Sequence, residues 1–349
     1  MNTAEKYMNR CLELAQLGAG SVAPNPMVGC VVVHDGKIIG EGYHQKCGEA
    51  HAEVNAIRSV KDKALLKTST LYVSLEPCAH FGKTPPCSDL IIEHQIPKVV
   101  VGSIDPFAAV AGKGIEKMEK AGIEVQLGVL EEECLWLNRR FFTFHQKKRP
   151  YLILKWAQTL DGFLDIDRAQ QTFGQPTWIS NELSRRQVHK QRTEEDAILV
   201  GTNTALKDNP SLTVREWVGK QPLRLLIDRK KRLAESLNLK DGSVPTVVFT
   251  EEKIDSKANL EYVRIDFDTN ILPQLLDWLY ARDIQSVIVE GGQFLIQSFI
   301  DQGLWDEAHV YFGNTFFVNG VPAPKLPVPP TKSENMHDTQ LRFFVNRLK

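Results

Sequence analysis

The sequence predicts an α/β protein built as two consecutive domains, and three observations lead there. Short β-branched runs alternate with amphipathic stretches, the pattern of a layered sheet rather than a bundle or a sandwich. That alternation is interrupted once, at the basic cluster Lys147-Lys148-Arg149-Pro150, and then begins again. At 349 residues the chain also exceeds the roughly 100 to 200 residues of one typical domain. The expected domains are residues 1–146 and 150–349.

The elements follow in order. Residues 28–43 read VGCVVVHDGKIIGEGY, two β-branched runs around Asp35-Gly36. Asp-Gly suits a type I′ turn, whose central residues both need positive φ, so a hairpin is predicted. A helix is expected near 50–60, a strand at 71–75, a helix after Pro86, a strand at 98–104, a helix at 113–120 and a strand from Ile123. The aromatic stretch LWLNRRFFTF reads as helical, and KKRP after it as a solvated boundary rather than a nucleic-acid patch. The second domain restarts with YLILKWA (strand), SRRQVHKQR (helix), AILVG, PLRLLID and TVVFT (strands). LLDWLYARDI (helix), SVIVEGG (strand), FLIQSFIDQGL (helix) and HVYFG (strand) follow. Residues 322–330 hold five prolines, too many for a central strand, and read as a loop before a last strand in RFFVNRL.

Charge narrows the function classes. The chain carries 42 basic and 43 acidic residues, and up to Gln146 the counts are 15 and 17, so neither half has the field of a protein that holds polyanions by charge alone. No run of 18 apolar residues occurs, and charges interrupt residues 1–20, so neither a membrane span nor a leader is read. The expected setting is cytoplasmic, with no nucleic-acid or membrane partner and a homo-oligomer left open. The six cysteines all lie at or before Cys134, which suggests a local task in the first domain rather than a disulfide framework.

That task reads as metal binding. His51-Ala-Glu53 stands at the start of a predicted helix, Pro77-Cys78 follows a predicted strand, and Cys87 begins the next helix. One His and two Cys leave zinc's fourth tetrahedral position for water, the arrangement of a catalytic rather than a closed structural site. A thiol at a helix N-terminus meets the positive end of the dipole, which favours the thiolate. Glu53 adds a carboxylate able to move a proton from the attacking water to a ring nitrogen and then to departing ammonia. Residues two apart do not share a helix face, so His51 and Glu53 converge only if the metal sits at the mouth of the helix. Cys11, Cys30, Cys47 and Cys134 read as small core residues. His80 is a competing ligand.

His-x-Glu with a Pro-Cys…Cys pair is the signature of zinc-dependent nucleobase deaminases, usually with a shorter cysteine spacing. Here the segment is EPCAHFGKTPPC, accompanied by APNPMVGC and GEGYHQKCGEAHAE. With these segments the sequence resembles, over nearly its whole length, the bifunctional deaminase/reductases of riboflavin biosynthesis. The resemblance implies a cytidine-deaminase-like three-layer α/β/α domain followed by a dihydrofolate-reductase-like α/β domain. It implies one zinc on His51, Cys78 and Cys87, catalysis by Glu53, and Asn25, His44, His80, Lys83 and Thr84 near the substrate. A solvated loop is the alternative for His80, Lys83 and Thr84, and a turn or surface role for Asn25 and His44.

In the second half KWAQTLDGFL, WIS at 178–180 and ILVGTNTALKDNPSLTVR carry the resemblance. No GxGxxG is present, so a Rossmann site is not indicated. SVIVEGGQFLIQSFI instead reads as strand, two glycines and helix start, where backbone N–H groups can hold a dinucleotide phosphate; alone it is equally a strand–helix turn. The resemblance places Ala157, Trp178, Thr204, Asp208, Arg229, Gly291, Gly292, Gln293 and Phe294 with NADPH, and Arg192, Leu212, Arg215 and Glu290 with the substrate. Arg192 and Arg215 suit a forked clamp on phosphate, or else surface ion pairs. Thr204 and Asp208 share one face if GTNTALKD is helical, with capping as the alternative. Pro176 and Arg229 depart from the family pattern.

The implied activity is hydrolytic deamination of 2,5-diamino-6-(5-phosphoribosylamino)pyrimidin-4-one, then NADPH-dependent reduction of its ribosyl group to give 5-amino-6-(5-phosphoribitylamino)uracil. The alternative is a zinc pyrimidine deaminase with a non-catalytic reductase-like domain. A nucleic-acid deaminase is opposed by the balanced charge and the cysteine spacing, and a structural zinc protein by Glu53 beside only three good ligands.

Overall fold

The computed structural model describes residues 2–79, 81, 85–106, 111–168, 174 and 177–347. The chain folds as two compact units, Met1–Lys148 and Arg149–Lys349. Among the described residues no helix is long and apolar enough to cross a membrane.

The first unit begins with α1 (Thr3–Gln16), a helix that the sequence reading does not anticipate; Asn2 and Glu5 close it with a reciprocal capping box. The hairpin follows as β1 (Gly29–His34) and β2 (Lys37–Tyr43), and Asp35 and Gly36 take φ of 46° and 72°, as a type I′ turn requires. Next come α2 (Ala52–Ser59), β3 (Thr70–Leu75), α3 (Cys87–Glu93), β4 (Lys98–Ser103), α4 (Lys113–Lys120) and β5 (Glu124–Leu127). LWLNRRFFTF is not one helix. It breaks between α5 (Glu131–Leu137) and α6 (Arg139–Lys147), because Asn138 accepts from Met27 N and donates to Met27 O, both at 2.8 Å.

The sheet order is β2-β1-β3-β4-β5, with β3, β4 and β5 parallel and β1 antiparallel to both its neighbours. Alternate strand residues feed two cores. Val32, Val73, Val99 and Val101 pack against α2, α3 and α4, whereas Val31, Tyr72 and Val100 pack against α1 and α5. A three-layer α/β/α arrangement results.

The second unit contains β6 (Tyr151–Thr159), β7 (Phe163–Asp165), α7 (Glu182–Glu194), β8 (Ala197–Val200), α8 (Thr202–Asp208) and β9 (Leu223–Ile227). It continues with β10 (Thr246–Thr250), β11 (Leu260–Arg264), α9 (Ile271–Tyr280), β12 (Ser286–Val289) and α10 (Gln293–Asp301). It ends with β13 (Glu307–Gly313), β14 (Val321–Pro322), β15 (Lys332–Met336) and β16 (Thr339–Val345). Nine strands form one sheet in the order β11-β10-β9-β8-β12-β6-β13-β16-β15. It is parallel through β13, and the β15–β16 hairpin adds an antiparallel edge. Pro322, the first of the five prolines, pairs with Phe163 in the short edge strand β14, and the rest of the stretch runs to β15 without regular structure.

Candidate active sites

In the first unit the chemistry gathers at helix mouths. His51 is the N-cap of α2, with extended backbone (φ −71°, ψ 166°), and Glu53 lies buried in the first turn of the same helix. The condition set by their two-residue spacing is thus met. Cys78 follows β3, and Cys87 opens α3. The His51 nitrogen and the two sulfurs lie within 4.8 Å of one another, with Nδ1 3.7 Å from Cys78 Sγ and 3.3 Å from Cys87 Sγ. Zinc bonded at about 2.0 Å to nitrogen and about 2.3 Å to sulfur separates such atoms by roughly 3.5 Å in a tetrahedron. The donor set fits the ion.

Backbone geometry holds the sulfurs in place. The N–H of Cys87 donates to Cys78 Sγ at 3.3 Å, and that of Ser88 to Cys78 O at 3.1 Å, so α3 starts against the first cysteine. The helix-start effect therefore reaches a different sulfur from the one the sequence suggests. The Cys87 thiol donates to Cys78, which is drawn down to about 4, whereas Cys87 is pushed well up by the same hydrogen bond and by burial. His51 is raised to about 9, chiefly by its hydrogen bond to Cys78. Burial lifts Glu53 to about 7, into the range useful for taking up and giving back a proton near neutrality.

Asn25 and His44 sit together at this site. His44 Nδ1 is 3.1 Å from Ala50 O and Nε2 is 3.0 Å from Asn25 Nδ2, and the His44 ring lies 5.4 Å from that of His51, edge-on. Burial lowers the His44 pKa, so the ring is neutral: Nδ1–H donates to Ala50 O and Nε2 accepts from Asn25. His80, Lys83, Thr84 and Pro176 lie outside the described residues.

The second unit has a cavity of about 690 Å³ at the C-terminal ends of β6, β8, β9 and β12, where open parallel sheets take their ligands. It brings together Ala157, Trp178, Thr204, Asp208, Gly291, Gly292, Gln293 and Phe294 with Arg192, Leu212, Arg215 and Glu290. The Gly291-Gly292 turn opens α10 with φ of 127° and 80°, and a Cβ on Gly291 would stand 2.8 Å from Thr204 Cγ2. Thr204 and Asp208 are indeed both on α8.

Arg229 lies away from the residues that the resemblance groups it with, and Arg192, though in the cavity, has an internal partner. Arg229 is not among the residues lining the cavity; it is half exposed and pairs with Glu251 at 2.6 Å and Asp268 at 3.2 Å. Arg192 directs its fork at Glu290 (3.2 and 2.8 Å) and a third N–H at Thr213 O (3.1 Å), leaving Arg215 the freer cation for a phosphate.

The structure also adds residues that sequence reasoning missed. Lys155 projects into the cavity with Nζ 3.7 Å from Glu290 Oε2, its pKa lowered by burial. Burial opposes ionisation of Glu290, but Arg192 and Lys155 outweigh it and bring its pKa to about 2. A lone lysine within YLILKWA, a strand otherwise apolar enough to be central, was the available signal. His189 lines the same cavity, accepting the Arg215 N–H on Nδ1 at 3.1 Å, as do Arg185 and Arg232.

Three metal-type ligands with an adjacent buried carboxylate are the equipment of a zinc-dependent hydrolytic deaminase, and the second unit carries a nucleotide-sized cavity of its own. Residues 1–103 match the cytidine and deoxycytidylate deaminase zinc-binding region, and residues 150–343 match the RibD C-terminal domain. The chain is 41% identical to the riboflavin biosynthesis protein RibD of Aquifex aeolicus, over 97% of this chain and 98% of that one. It is 38% identical to the Escherichia coli RibD, over 88% and 86%. The crystal structure of the diaminohydroxyphosphoribosylaminopyrimidine deaminase/5-amino-6-(5-phosphoribosylamino)uracil reductase of Thermotoga maritima superposes with a TM-score of 0.89 at 40% identity, covering 99% of each chain. Acinetobacter baumannii RibD superposes at 0.87 with 30% identity, again over 99% of each. The chain belongs to the RibD family of bifunctional riboflavin-biosynthesis enzymes, with a zinc-binding deaminase domain and an NADPH-dependent reductase domain.

Proposed function

We propose that the substrate of this chain is 2,5-diamino-6-(5-phosphoribosylamino)pyrimidin-4-one, deaminated at C2 in the first domain and then reduced at C1′ of its sugar in the second. The observation that carries the first step is the His51, Cys78 and Cys87 triangle beside the buried Glu53. His51, Cys78 and Cys87 would hold zinc, which would supply a water acidic enough to attack near neutral pH. Glu53 takes one proton from the attacking water and passes it to the ring nitrogen, then takes the second from the hydroxyl so formed and delivers it to the amino group, which leaves as ammonia while the C–O bond becomes a carbonyl. Neutral His44 and Asn25 fix the edge of the site next to His51.

In the second domain the Gly291-Gly292 turn with Ala157, Trp178, Thr204, Asp208, Gln293 and Phe294 would hold NADPH, which would supply the hydride. Arg215, with the free N–H groups of Arg192, meets the substrate phosphate. Lys155 serves as the proton source for the reduction; the Glu290 carboxylate beside it favours the ammonium form, so Lys155 takes up a proton from solvent again after each turnover. All six cysteines are free, which fits a cytoplasmic setting.

The test is to incubate the purified protein with the diaminopyrimidine phosphate, with and without NADPH, and follow ammonia release and product mass. Deamination without NADPH and the further gain of two hydrogens with it are expected. Deamination alone in excess NADPH would reduce the second domain to a non-catalytic role.

A further inference from the structure

Glu76 is buried two residues before Cys78, and neither reaction uses it. It follows β3 where the parallel strand β4 ends beside it, and its amide donates to Ser103 O at 2.9 Å. Its carboxylate accepts three backbone N–H groups from the far side of β4. Oε2 takes those of Asp105 (3.3 Å) and Gly112 (2.9 Å), and Oε1 takes that of Gly114 (2.9 Å). Gly112 precedes α4 and has no side chain to cap it. Glu76, from the segment after β3, supplies the acceptor that helix N-termini usually find in an N-cap Asp or Ser, here with a full negative charge. A buried carboxylate is tolerated only when its lone pairs are met, and here one remote segment meets them. The junction is also tight from the other side, because a Cβ on Gly114 would stand 2.0 Å from Pro77 O. Pro77 is the only residue between Glu76 and the Cys78 sulfur's own backbone.

We propose that Glu76 is a positioning residue for deamination: by tying the start of α4 to the Pro77-Cys78 turn, it fixes where Cys78 presents its sulfur. This rests on His51, Cys78 and Cys87 being the zinc ligands. A carboxylate needed only for folding would change stability and leave the metal's geometry untouched, so the readout is the metal itself.

The experiment uses full-length enzyme loaded with cobalt(II) in place of zinc, whose visible bands report ligand geometry. Glu76→Gln keeps the volume but turns one acceptor into a donor facing an N–H. In Glu76→Gln the thiolate–cobalt and ligand-field bands shift, and chelators strip zinc about tenfold faster or more. Its deamination kcat falls by about tenfold or more while KM stays within about twofold, with reduction of supplied deaminated substrate unchanged. Glu76→Asp, which keeps both acceptors on a shorter arm, falls between Gln and wild type in bands and rate, and serves alone if the Gln variant does not fold. Wild-type bands, chelation rate and kcat in the variants that fold overturn the proposal. Cys78→Ser separates the two layers of the argument: wild-type zinc affinity there removes the ligand assignment, whereas metal loss there with unchanged Glu76 variants removes the positioning role alone.

Discussion

Glu53 is buried and Lys155 largely so, each set against a different partner, and their substitutions should separate the two activities. Glu53→Gln removes the proton carrier without touching His51, Cys78 or Cys87. Deamination should fall on the order of a thousandfold, with metal analysis showing zinc retained and reduction of supplied deaminated substrate intact. Normal deamination in that variant would show that the proton travels elsewhere. Lys155→Met leaves Glu290 paired with Arg192, so the cavity keeps a partner for its buried carboxylate. Reduction should fall by about a hundredfold or more, while NADPH affinity measured by fluorescence changes little. At this scale the zinc residues were legible in the sequence because residue type and spacing specify coordination chemistry almost by themselves. Arg192 and Glu290 were both named by the resemblance, but their pairing was not legible, because they lie 98 residues apart and only the fold brings them together. Arg229 looked like a cofactor contact by position, yet Glu251 and Asp268, which claim it, come from other segments.

Elements were legible where the signal is local. The Asp35-Gly36 turn declares itself through the φ values that it needs, and the parallel strands through β-branched runs. Three elements left weaker traces: α1 is interrupted by charges, β11 has only a half-buried pattern, and β15 is a polar edge strand. The break at Asn138 depends on a contact with Met27, 111 residues away, which no local pattern contains. On α7, Arg185, His189 and Arg192 recur at helical spacing and line the reductase cavity. Burial, then Arg192 and Arg215, depress His189 to about 4, while an unfolded histidine titrates near 6.5. Between those values only the unfolded chain takes up the proton, so this group's contribution is present above about pH 6.5 and is lost as pH falls towards 4. Urea midpoints should therefore decline over that window, and His189→Gln should flatten that part of the slope; an unchanged slope would show His189 already protonated in the fold. At the other side of the cavity Gly291→Ala places a Cβ on a φ of 127° and 2.8 Å from Thr204. With strain of about 1–3 kcal/mol in the turn, NADPH should bind on the order of tenfold more weakly, and unaltered binding would move the nucleotide away from this turn.

At the scale of the whole molecule, each unit has its own cores and its own site: His51 and Cys87 at the starts of α2 and α3, with Cys78 after β3, would hold zinc in one, and the nucleotide-sized cavity spans four strand ends in the other. A ligand that binds only the folded form adds RT ln(1 + [L]/Kd), about 2.7 kcal/mol at a hundredfold excess over Kd, to the unit that binds it. For units of this size that corresponds to several degrees in the midpoint. Scanning calorimetry should accordingly resolve two transitions with separate responses. Chelation of zinc lowers one and leaves the other in place, and NADPH raises the other and leaves the first. Cys87→Ser should make the first transition insensitive to chelator while the NADPH response persists. A single transition that moves with both ligands would mean that the two units unfold as one, and the near-neutral, cysteine-free second half would then owe part of its stability to the metal-bearing first.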